Sequence, residues 1–107
     1  MRYSIEFIKE AKQDLSSLDG TQRKQVLAAI SKVSQNPLPK NEGGFGNPLG
    51  NKGGNNLTGY FKIKLLRLGL RVVYELKKVD GIMRIIVIAV RDDEAVYKLA
   101  AKRISDN

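Results

Sequence analysis

Residues 59–91 read GYFKIKLLRLGLRVVYELKKVDGIMRIIVIAVR, and the fold is decided there. Apolar and polar side chains alternate through 60–67, 71–78 and 82–90, the period of a half-buried strand. Leu68-Gly69-Leu70 and Asp80-Gly81 separate the three segments and read as hairpin connections. The third segment is nearly continuous in Ile, Val, Met and Ala, which predicts a central strand covered on both faces, with Arg84 as the one charge within it.

Working outward, residues 2–7 alternate, with Tyr3, Ile5 and Phe7 on one face, and read as a short strand. From Ile8 to Leu18 the period changes, because Ile8, Ala11, Leu15 and Leu18 recur at helical spacing before an Asp19-Gly20 stop. Thr21 is the expected N-cap of a second helix, whose stripe of Val26, Leu27, Ile30 and Val33 ends before Asn36-Pro37-Leu38-Pro39. So short a turn between two helices predicts an antiparallel helical hairpin. Residues 36–59 hold all three prolines and seven of the ten glycines and show no sustained period, so they read as one long loop, either a substrate-contacting flap or a surface insertion. A final helix is expected from Asp92 to about Ile104, with Asp92, Asp93 and Glu94 suiting its N-terminus and Lys98, Lys102 and Arg103 its C-terminus. Three consecutive carboxylates there are explained by capping, not by a metal. The predicted fold is α+β, an antiparallel sheet packed against an N-terminal helical hairpin with a short C-terminal helix, in the order β-α-α-β-β-β-α.

Composition removes whole classes of chemistry. The 107 residues include no His, Cys or Trp, which excludes a Ser-His-Asp triad, an imidazole acid or base, a thiol nucleophile and disulfides. Catalysis would have to run on Lys, Arg, Tyr, Asp or Glu. The length predicts a single domain over 1–107, and the absence of a signal peptide or of an apolar run near 20 residues predicts a cytoplasmic protein with no membrane partner.

The formal charge is +8, and it is unevenly spread: +3 over residues 1–59, +6 over 60–91 and −1 over 92–107. A local positive field of that kind suits nucleic acid or an acidic protein. In the first strand of the decisive stretch, Phe61, Ile63 and Leu65 take one face, and Tyr60, Lys62 and Lys64 the other. If both apolar faces meet the helices, Arg71 joins the lysines, and Arg91, at the end of the central strand, reaches over the sheet edge toward them. A solvated face is commonly lined with Lys and Arg. Cations gathered with Glu75 as their one acidic neighbour nevertheless repel unless an anion is bound. Tyr60 is placed to stack on a base, and Tyr97 fits either the core, with Val96 and Leu99, or the site.

The ordered set Lys62-Ile63-Lys64-Leu65, Gly69-Leu70-Arg71-Val72-Val73-Tyr74, Ile86-Val87-Ile88-Ala89-Val90-Arg91 and Glu94-Ala95-Val96-Tyr97 resembles the RelE/ParE toxin superfamily. Within it, the set is similar to the RelE branch of ribosome-dependent mRNA endoribonucleases. The resemblance implies a toxin that enters the ribosomal A site, cleaves mRNA and is held inactive by a cognate acidic antitoxin, the pair also binding operator DNA. Carried over by position, it implies catalytic roles for Lys62, Lys64, Arg71, Arg91 and Tyr97. The alternative within the superfamily is a ParE-like, non-enzymatic inhibitor of DNA gyrase, and a third reading is RNA binding without chemistry. Two departures stand out. Leu57-Thr58-Gly59 lacks the family's arginine ahead of the active strand, a contact that Lys52 or Arg67 would have to supply, and the Gly-rich segment 43–56 is longer than in compact members.

RNA carries its own nucleophile in the 2′-hydroxyl, so such a site needs neither metal nor cofactor. Like-charge repulsion favours the neutral amine of a clustered lysine, which makes Lys62 or Lys64 a reasonable general base with the other stabilising charge. Arg71 and Arg91 would present donor forks to the phosphate, and Tyr97 would orient the base or the scissile phosphate. The expected ends are a 2′,3′-cyclic phosphate and a 5′-hydroxyl.

Overall fold

The computed structural model describes residues 2–52, 55–90 and 93–106, with the side chains at 51, 52, 55 and 93 outside the description. The order is β1 (Ser4–Phe7), α1 (Lys9–Ser16), α2 (Gly20–Ser34), β2 (Asn47–Lys52), β3 (Asn55–Leu65), β4 (Leu70–Lys77), β5 (Ile82–Val90) and α3 (Asp93–Asp106), with a 3₁₀ turn at Lys40–Glu42. The predicted α+β fold is present, enlarged by one strand. The sheet runs β1-β5-β4-β3-β2 and is mixed, because β1 pairs parallel to β5 while the other pairs are antiparallel. Among the described residues no helix is long and apolar enough to cross a membrane.

Both hairpin connections of the decisive stretch hold, and Gly69 and Gly81 each supply a φ of 65° that other residues rarely adopt. The strand β5 is interior, and a bulge lets it serve two layers. Val73 pairs with Val87 and Tyr74 with Ile85, so Ile86 is the extra residue. Met83, Ile85 and Ile88 therefore join the core under α1 and α2, whereas Ile86 and Val87 join a second core under α3. The helical hairpin covers one face through Ala11, Val26, Ile30 and Val33. Leu27, expected in that stripe, is instead exposed, because the buried line runs 26, 30, 33.

The turn between the helices uses a different cap from the one expected. Asp19, read as a helix stop, is the N-cap of α2: its carboxylate accepts from Gln22 N at 2.7 Å and Gln22 Oε1 accepts from Asp19 N at 3.3 Å, a reciprocal capping box. Arg23 then reaches back to cap α1, donating to the carbonyls of Leu15 and Leu18 at 3.2 and 2.8 Å.

Residues 36–59, expected to be one loop, hold β2 and the first part of β3, whose Leu49 and Leu57 are buried in the second core. Pro48 is tolerated because β2 is an edge strand with a bulge between Pro48 and Gly50. The preceding segment is pinned to the sheet by Tyr74, fully buried, whose hydroxyl donates to Pro37 O at 2.9 Å and whose ring stacks on Phe61 with centroids 5.2 Å apart. Burial holds the Tyr74 phenol far above its ordinary pKa. Gly46 lies against this pair, where an added Cβ would stand 2.7 Å from both Pro37 O and the Tyr74 hydroxyl. By contrast, a Cβ on Gly20, in the first turn of α2, meets nothing within 4 Å. Gly46→Ala is expected to cost about 1–3 kcal/mol in urea unfolding, while Gly20→Ala leaves stability unchanged or slightly raised; equal effects would contradict this packing.

Candidate active site

The face of the sheet beneath α3 carries its polar side chains in rows fixed by register. In one row Tyr60 stands opposite Glu75, Glu75 opposite Arg84 and Arg84 opposite Glu6. Their charges alternate and their side chains meet: the Tyr60 hydroxyl donates to Glu75 Oε2 at 3.3 Å, and Arg84 lies 3.6 Å from Glu75 and 3.7 Å from Glu6. In the next row Lys62 faces Val73 and Val87, and in the one after it Lys64 faces Arg71, which faces Ala89. Lys64 and Arg71 are thus like charges directly opposed, an arrangement that costs stability.

The expected cluster is partly assembled. Lys62, Lys64 and Arg71 share the α3 face, as the alternation predicts. Lys62 Nζ donates to the Tyr97 hydroxyl at 3.3 Å and sits 6.0 Å from the centre of the same ring. Tyr97 is 7% exposed within the second core and presents its hydroxyl to Lys62. Lys64 is exposed, and its amine makes no hydrogen bond or ion pair among the described residues. Arg71 departs from expectation: the face is right, but the side chain is 4% exposed, so in this conformation its guanidinium is no open fork for a phosphate. Arg91 and the Lys52 side chain lie outside the described residues.

Of the remaining candidates, Tyr60 is half-buried against the second core and engaged by Glu75, so it is not displayed for stacking. Arg67 is exposed at the tip of the β3–β4 hairpin, where Gln25, Lys64, Leu65, Leu66 and Arg67 line a depression of about 350 Å³. A smaller cavity of about 110 Å³ lies between Tyr60, Glu75 and Arg84 on the sheet and Arg103 and Ile104 on α3. Sequence reasoning noted Arg84 and Glu75 but missed that Glu6 completes their row. The signal was a cation in an apolar strand, which requires acidic neighbours on its own face.

No protein-family model matches the sequence. The chain is 26% identical, over 105 residues, to an Escherichia coli protein described as RelE-like toxin, an alignment covering 97% of this chain and 99% of the other. A free-state double arginine-to-alanine variant of Escherichia coli toxin RelE superposes with a TM-score of 0.77 at 26% identity, covering 97% of this chain and 99% of that one. In sequence and in fold the chain is thus similar to RelE toxins over nearly its whole length. A RelE variant of the same kind, in complex with a peptide of the antitoxin RelB, also matches, with a TM-score of 0.70 and 25% identity over 94% of this chain and 95% of that one. The RelE-type fold therefore spans nearly the whole chain, with the Lys62–Tyr97 contact inside it.

The row beside the lysines has a titration of its own. Burial, followed by the charge and hydrogen bond of Glu75, raises the Tyr60 phenol above its ordinary 10.0, opposed in part by Arg84. The folded state thus holds the Tyr60 proton more tightly than the unfolded chain, and this contribution to stability is lost as pH rises past 10. With ¹³C-labelled tyrosine, Tyr60 is expected to titrate above 10 in the wild type and to return part of the way in Glu75→Gln, because burial remains. An unchanged midpoint in that variant would contradict the coupling.

Proposed function

We propose that this chain is the toxin of a toxin–antitoxin pair and that it cleaves mRNA in the ribosomal A site, the RNA's own 2′-hydroxyl serving as nucleophile. The observation that carries the reading is the placement of Lys62, Lys64 and Arg71 on one sheet face, with Tyr97 of α3 brought onto Lys62. Kinship with RelE over nearly the full length supports the toxin role.

In this reading a lysine in its neutral form takes the 2′-hydroxyl proton. The 2′-oxygen attacks phosphorus, and the 5′-oxygen leaves with a proton from a second cation. The products are a 2′,3′-cyclic phosphate and a 5′-hydroxyl end. Lys64 is the exposed amine and so the one a substrate meets first, while Lys62, held by Tyr97, stabilises the phosphorane charge. Arg71 adds positive potential from beneath, and Arg91, which follows β5 in the sequence, is assigned a phosphate-binding role from the family resemblance alone. The chemistry needs no metal.

Among the described residues nothing on the face bends an RNA strand so that the 2′-oxygen, phosphorus and 5′-oxygen lie in line; in this proposal the decoding site supplies that geometry, hence the dependence on the ribosome. The net charge of +8 favours an acidic antitoxin as partner, in keeping with the antitoxin peptide bound by the RelE relative.

The test compares programmed ribosomes with naked mRNA. Wild-type protein is expected to cut on ribosomes alone, and Lys64→Ala and Arg91→Ala each to lower the single-turnover rate by roughly 10²–10⁴-fold without loss of fold or of antitoxin binding. Wild-type-like cleavage by either variant would remove that residue from the site. No cleavage by folded, antitoxin-free wild type would overturn the reading in favour of a protein target such as gyrase.

A further inference from the structure

Tyr97 is where α3 meets the cationic face, so its height over Lys62 depends on the position of α3 along the sheet. Among the described residues the buried side chains of the helix are Val96, Tyr97 and Ala100, an apolar stripe flanked by the partly buried Leu99, Ala101 and Ile104. A slip by one helical turn would move Tyr97 by about 5.4 Å, well beyond the 3.3 Å that separates its hydroxyl from Lys62 Nζ.

A more specific tie lies six residues further along. Arg103 makes a forked pair with Asp14 of α1, Nη1 to Oδ2 at 2.6 Å and Nη2 to Oδ1 at 3.1 Å. The same two side chains also serve the backbone of β5. Asp14 Oδ2 accepts from Ile88 N at 3.0 Å, and Arg103 Nη1 donates to Ile86 O at 2.9 Å. This is the point where β5 loses its neighbour: the β1 pairing ends at Phe7 opposite Ile85, and Ile8 N takes the Ile85 carbonyl at 3.1 Å. Asp14 and Arg103 continue the ladder in place of a strand, at the bulge, with side chains only 18% and 13% exposed. A planar fork on a carboxylate is satisfied in one register, unlike an apolar stripe.

We propose that Asp14 and Arg103 are positioning residues for RNA cleavage: their clasp on β5 sets the register of α3 and so holds the Tyr97 hydroxyl against Lys62. The proposal rests on the cleavage reading above for its functional half and on geometry alone for its structural half. Neither residue touches the lysines, and the clasp acts through the helix.

The test uses the full-length chain. In the wild type, cross-relaxation in a nuclear Overhauser spectrum is expected between the Tyr97 ring and the Lys62 ε-methylene, and in Arg103→Met it is lost while the β3–β4 amides stay protected. If Arg103→Met does not fold, Arg103→Lys, which keeps the charge but not the fork, carries the same comparison. On programmed ribosomes the variant is expected to cleave about tenfold or more slowly at saturating protein, with the half-saturating concentration unchanged. In a Tyr97→Ala background the same substitution is expected to cost nothing further, because the helix no longer presents the hydroxyl. Persistence of the cross-relaxation in the variant, or an equal additional loss in the Tyr97→Ala background, would overturn the proposal. A wild type that cleaves nothing overturns the reading of the site instead, and the cross-relaxation then decides the clasp by itself.

Discussion

A strand made almost wholly of Ile, Val, Met and Ala must be covered on both faces, and that demand of β5 shapes the rest of the molecule. Burying an apolar side chain of this size is worth about 1.5–3 kcal/mol, so neither face can be left to water. The helical hairpin answers for one side with Ala11, Val26, Ile30 and Val33. The bulge at Ile86 then turns two successive side chains, Ile86 and Val87, toward the other side, where Val96, Tyr97 and Ala100 of α3 close over them. The same closure brings a tyrosine onto a face that otherwise presents lysines. The packing that closes the second core thus also sets the contact between Tyr97 and Lys62.

The face beneath α3 divides by charge along its length. Toward the C-terminal end of α3 the row Tyr60, Glu75, Arg84 and Glu6 is internally paired, one guanidinium between two carboxylates. Two rows away Lys64 stands opposite Arg71, and Arg71 opposite Ala89. Glu75 is engaged by Arg84 and Tyr60 in its own row, so it is not turned toward Lys62 or Lys64.

Much of this was legible from residues alone, and the rest was hidden for identifiable reasons. Period-two alternation placed Lys62, Lys64 and Arg71 on one face because a strand's register admits no other reading once Phe61, Ile63 and Val72 are buried. The strand β2 was not legible: Asn47-Pro48-Leu49-Gly50-Asn51-Lys52 has a single strong strand former's worth of apolar surface, and its pairing depends on Leu49 finding the second core. The parallel placement of β1 beside β5 was equally out of reach, since alternation gives a strand's faces but not its neighbour. The burial of Arg71 escaped because a face read as open is roofed by α3. The Asp14–Arg103 clasp spans 89 positions and joins two helices to a strand edge, a long-range arrangement with no local sequence signature. Asp19, in contrast, could have been read from Asp19-Gly20-Thr21-Gln22, an acid followed three residues later by a glutamine at a helix start.

The central claim is that this face uses the RNA's own 2′-hydroxyl as nucleophile. A direct measurement is cleavage by the wild-type protein on ribosomes whose mRNA carries one 2′-deoxy nucleotide at the scissile position, with end-group analysis of the all-ribose control. The account predicts that the single substitution abolishes cutting there and that the control fragments end in a 2′,3′-cyclic phosphate and a 5′-hydroxyl. Undiminished cutting at the deoxy position, or fragments ending in a 3′-hydroxyl and a 5′-phosphate, would contradict it.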